Sequence, residues 1–98
     1  MTRMSLSPIM DSTAVSRHVE GLRTAFADGG PIEIDCQDVE QIGQAGLQLL
    51  ASAVKTSQHR GIELSINSGS ALDAAVRLAG MGRVIFGAAA VSGNGDTL

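Results

Sequence analysis

Val15, Val19, Leu22 and Phe26 recur at spacings of four, three and four, the stripe that an α-helix turns toward a core. Ahead of them, Asp11-Ser12-Thr13 offers side-chain oxygens for the unpaired N–H groups of a first turn; behind them, Gly29-Gly30-Pro31 stops the helix. Ser16, Arg17, Glu20 and Arg23 fall off the stripe and belong to water. Gly21 weakens this helix by up to about 1 kcal/mol relative to alanine. The period then drops to two. Ile32, Ile34 and Cys36 alternate with Glu33, Asp35 and Gln37, and Ile62, Leu64 and Ile66 alternate with Glu63, Ser65 and Asn67. Strands covered on both faces read as continuous apolar runs, so these alternating ones predict a sheet with helices on one side.

Between the two strands, Val39 and Ile42 form a short apolar pair before Gly43-Gln44-Ala45-Gly46. Leu47, Leu50, Ala51 and Val54 then mark a second helix, with Lys55, His59 and Arg60 in its last turns and Gly61 after them, where positive charge and a glycine suit the carbonyl end. A third helix carries Leu72, Ala75, Val76 and Ala79, is capped by Ser68 or Ser70, and ends at Gly80 or Gly82. Residues 4–10 alternate weakly around Pro8 and read as an edge strand, and Val84-Ile85-Phe86 reads as a last short strand. Right-handed crossovers through these helices give an α/β fold: a small, mostly parallel or mixed sheet of four to five strands with helices mainly on one face. The expected division is one domain over residues 1–86 and a flexible tail over 87–98, where Gly, Ala, Ser and Asn dominate.

Composition narrows the function. At 98 residues, 44% apolar and 17% charged, the chain is an ordinary globular domain. A net charge of -3 and only two aromatic residues, Phe26 and Phe86, argue against a nucleic-acid partner, which favours a basic face and stacking rings. Cys36 is the single cysteine, so an internal disulfide and a multi-cysteine zinc site are excluded. No stretch approaches the roughly 20 apolar residues of a membrane span, and the first ten residues carry no apolar run of signal-peptide length. A cytoplasmic location without membrane insertion is expected. Neither metal nor cofactor is expected.

The candidate chemistry is sparse. Gly43-Gln44-Ala45-Gly46 lies where a strand feeds a helix, so its N–H groups could meet an anion, or the glycines could simply permit a tight turn and close approach. It is not a phosphate-binding P-loop, because Leu47-Gln48 stands where Lys-Ser or Lys-Thr is needed. Asp35, Asp38 and Glu40 read as a solvated strand edge, and His18 and His59 as surface groups. Cys36 reads as a small buried hydrophobe, and Met81 as core filler. No nucleophile, base and orienting group come together, so no enzyme is expected. Gln44, Gln48 and Ser52 share a nearly uncharged flank suited to another protein. Leu49 and Ala53 either join that flank or pack on a neighbouring helix.

The second helix and the turn before it give the chain a family likeness. From residue 6 to 86 it resembles the STAS domains, named from sulfate transporters and anti-sigma factor antagonists. In that family the motif Asp-Ser-(Ser or Thr)-Gly-Leu opens the second helix, and a kinase phosphorylates its second hydroxyl residue. Here Gly43-Gln44-Ala45-Gly46-Leu47 stands in its place, so only Gly46 and Leu47 match and Ala45 occupies the phosphoacceptor position without a hydroxyl. The turn Ser68-Gly69-Ser70-Ala71-Leu72 and the stretch Leu78-Ala79-Gly80-Met81 also look like the family's third helix. The run from Val39 to Leu50 is similar to small stand-alone STAS proteins of bacterial chemotaxis clusters. The resemblance implies a non-enzymatic adaptor in bacterial signalling that binds an anti-sigma factor, a serine kinase or a chemotaxis component. Its contacts would come from Gly43, Gln44, Ala45, Gly46, Gln48, Leu49 and Ser52. The alternatives it implies are a small STAS subunit docking on the ATPase of a lipid-transport ABC complex, or a small-ligand-binding STAS domain.

Overall fold

A computed structural model describes residues 2–87 and the backbone of residues 90–92. The first helix, α1 (Ser12–Asp28), begins at Asp11, whose carboxylate accepts the Ala14 N–H at 2.9 Å, and ends at Gly29 in the left-handed region with φ of 79°. Its stripe faces inward as the spacing requires, with Leu22 and Phe26 buried and Val15 and Val19 partly so. The second helix, α2 (Gln44–Arg60), buries Leu47, Leu50, Ala51 and Val54 and stops at Gly61. The third, α3 (Ser70–Ala79), buries Leu72 and Val76 and stops at Gly80.

Strands β1 (Thr2–Ser5), β3 (Ile32–Asp35), β5 (Leu64–Asn67) and β6 (Ala90–Ser92) form one sheet in the order β1-β3-β5-β6, with every pairing parallel. Two further short strands, β2 (Ile9–Met10) and β4 (Gln41–Ile42), pair with each other, also in parallel. One-sided helical cover follows from the alternation. Ile32, Ile34, Leu64 and Ile66 are buried beneath the helices, while Glu33, Asp35, Ser65 and Asn67 occupy the opposite, half-exposed face. There Asn67 Nδ2 donates to Glu33, and Arg3 pairs with Asp35 at 3.0 Å. The Gln37 N–H holds the Asp35 carboxyl below its ordinary value; burial opposes it, and Arg3 reinforces it.

Three local expectations are corrected. The N-terminal strand is two strands, because Pro8 has no N–H for a ladder; its carbonyl instead accepts from the N–H groups of Glu40 and Gln41. Val84-Ile85-Phe86 is not a strand: residues Gly82–Ile85 form a single helical turn, α4, and Ile85 is fully buried against α2 and α3. Burying Ile85 outweighs the strand preference of a β-branched pair. The cap of α3 is neither Ser68 nor Ser70 but Gly69. A Cβ at Gly69 would lie 3.1 Å from the Gln37 Cα, so the two backbones approach closely enough that a side chain there would require the Gln37 segment to give by a few tenths of an ångström. Strand β6 lies within the segment read from the sequence as a tail, and residues 88–89 and 93–98 lie outside the described residues.

His18 also departs from a purely surface position. It is half-buried on α1 with its Nε2 3.1 Å from Ser7 Oγ. Burial first, and then the Arg17 charge, hold its pKa below the ordinary 6.5. The unfolded chain therefore binds this proton more readily. The contribution of neutral His18 to stability is complete above 6.5 and is lost as pH falls below that value toward the lower folded-state one. Urea midpoints measured near about pH 7.5 and about pH 5.5 should differ more in the native protein than in His18→Gln. Equal differences would remove His18 from the account.

Candidate functional site

The opening of α2 has no side-chain cap, as is also true of α3 and α4. Gly43 is the N-cap, with extended dihedrals and no side chain to accept an N–H, and the first turn carries no acidic residue. The first intrahelical bond runs from the Leu47 N–H to the Gly43 carbonyl at 3.1 Å. The N–H groups of Gln44, Ala45 and Gly46 therefore precede the ladder and project from the positive end of the helix dipole. Gly46 lets this turn sit low. A Cβ there would lie 2.6 Å from Ile42 Cγ1 and 3.4 Å from Met10 Cβ, so α2 rests directly on the β2–β4 pair.

Around that turn Gly43, Gln44, Ala45, Gln48 and Ser52 are all exposed, without a charge among them. Gly46 is buried beneath the turn. Of the two positions left open for Leu49, the packed one is found: it is 8% exposed and forms the floor of a groove between α1 and α2, with Ala53 beside it. The groove encloses about 720 Å³ and begins at Ala45. Its other wall is Val15, Val19, Leu22 and Phe26.

Sequence reasoning missed Ile9. It pairs with Gln41 in the small sheet supporting α2, and it is 54% exposed while its neighbour Met10 is buried. Alternation across so short a strand held the signal, since only one of two successive residues can face inward.

The remaining candidates stay apart from this face. Asp38 and Glu40 are exposed beside a shallow depression formed with Pro8, Ser70 and Ala71. His59 is exposed in the last turn of α2. Met81 packs against the core. Among the described residues, no group of three or more His, Cys, Asp or Glu could hold a metal ion, and no helix is long and apolar enough to cross a membrane. Cys36 is 0% exposed, and burial first, then the Asp35 charge, push its thiol up to about 12. With so little thiolate, it should resist a disulfide reagent in the native state and react fully once urea unfolds the chain. Rapid native labelling would show that Cys36 is accessible.

These features stand on a matched scaffold, since residues 1–87 match the family model described as Mlab, STAS domain. The chain belongs to the STAS domain family. No curated protein and no solved structure gives a match. Membership makes this a protein-interaction or signalling module, and STAS domains are generally non-enzymatic.

Proposed function

We propose that this STAS domain is an adaptor in signal transduction that docks on a protein partner through the first two turns of α2, with Gln44, Ala45, Gln48 and Ser52 in contact. The supporting observation is an exposed, uncharged face at the position where a phosphorylated relative would gain charge. A phosphate there would add about two negative charges and a hydration shell that docking must remove. Ala45 cannot accept one, so this surface stays permanently in the binding form and control passes to the partner. The partner is an anti-sigma factor, a serine kinase or a chemotaxis component.

Ala45→Asp tests the reading. A carboxylate in the first turn of a helix favours the dipole by about 0.3–1 kcal/mol, so the variant should melt no lower than the native protein. Its affinity for a partner captured by crosslinking and verified by titration should fall by about tenfold, roughly 1.4 kcal/mol. Undiminished affinity would rule out docking at this turn. Capture of a transport ATPase in place of a signalling protein would assign the domain to an ABC complex instead.

A further inference from the structure

The two ends of the α1–α2 groove differ in charge. Near Ala45 its surroundings are uncharged, but its far end is lined by Thr56 and Arg60, which also border a depression containing Lys55 and His59. Arg23 lies on the opposite rim, already paired with Glu20 at 3.1 Å. Among the described residues, no carboxylate lines the groove or the depression. In a chain of net charge -3, this is a local concentration of positive charge at the end of an apolar channel.

The direction of the walls is fixed by the sheet. Because β1, β3 and β5 are parallel, α1 and α2 each return the chain across the same face and run side by side in one direction. From Ala45 to Arg60 the channel follows α2 for about 22 Å, at ~1.5 Å per residue. Its rims Arg23, Ala27, Gln48 and Ser52 are exposed. An acyl chain lying here would leave one side in water, whereas sites for small ligands bury about 70–90% of their occupant. An amphipathic helix supplies its own polar face to cover the open side.

We infer that the α1–α2 groove receives an amphipathic helix of the partner protein, antiparallel to α2, with acidic residues in its first turn set against Lys55 and Arg60. Antiparallel seating is favoured twice. It brings the positive end of the incoming helix to the carbonyl ends of α1 and α2, and acidic side chains are themselves at home in a first turn. Leu49 and Ala53 supply the floor, and the Gln48 and Ser52 rims join the groove to the docking face. This inference rests on the adaptor reading and extends it from a helix tip to a helix-length cradle.

The probe is a displayed library of peptides of about 16 residues, with leucine fixed at helical spacings and the other positions randomised. Selection on the purified protein should enrich Asp and Glu in the first turn. Amide shifts on binding should centre on Val19, Leu49 and Ala53. Lys55→Glu with Arg60→Glu, both exposed, should weaken the selected peptides and the captured partner by about tenfold. Arg77→Glu, on α3 and away from the groove, should leave both unchanged. An empty selection, winners without acidic enrichment, or binding indifferent to the double reversal would overturn the inference. Loss with Ala45→Asp but not with the reversal discards the groove and keeps the adaptor reading. Loss with the reversal alone keeps the groove and discards docking at the tip.

Discussion

Gly46→Ala should destabilise the domain by about 1–2 kcal/mol, although alanine is the better helix former by about 1 kcal/mol. The added methyl has nowhere to go. Its carbon would sit 2.6 Å from Ile42 Cγ1 and 2.9 Å from Ile42 Cδ1, so either Ile42 leaves its place or the first turn of α2 lifts. Lifting the turn would also displace Gln44 and Ala45, so partner affinity should fall with stability. Ile42→Ala removes the atoms in conflict. The double variant should therefore lose less than the sum of the two single losses, by about 1 kcal/mol in a urea-midpoint cycle. Strict additivity would show that the close approach is not what requires glycine at this position.

Leu50→Ala should have the largest effect, a loss of about 2–5 kcal/mol, because a side chain that is 0% exposed leaves a cavity in the middle of α2. Domains of this size are stable by only about 5–15 kcal/mol, so the melting temperature should fall on the order of 15 °C. Gln48→Ala, on the exposed face of the same helix, should change stability by less than about 0.5 kcal/mol and act on affinity alone. Thermal melts beside partner titrations would check both substitutions. A large stability loss at Gln48, or none at Leu50, would mean that α2 is turned differently.

The sequence was most readable where one physical signal acted alone. α1 and α2 carry helical stripes with caps at fixed offsets, and β3 and β5 alternate cleanly because only one sheet face is covered. It was least readable where tertiary contact decides. Nothing local announces that Gly69 passes against the Gln37 backbone, or that Ile85 is drawn inward by α2 and α3. The site shows the same division. Gln44, Gln48 and Ser52 could be placed on an outer flank by counting turns. Leu49 could not, since whether a flank is open depends on the neighbouring helix. Val15 and Val19 belong to a regular apolar stripe, yet they are only partly buried because they wall the groove, and a stripe looks the same whether it meets a core or a channel.

One helix provides both the buried Leu50 and Val54 and the exposed Gln48 and Ser52. The proposed recognition face is therefore shaped before any partner arrives. No loop within that helical face must be ordered on contact, so association there should incur little loss of chain freedom and should proceed at a rate set by collision and charge. Tightness would then be adjusted through the lifetime of the complex, by changes made on the other protein.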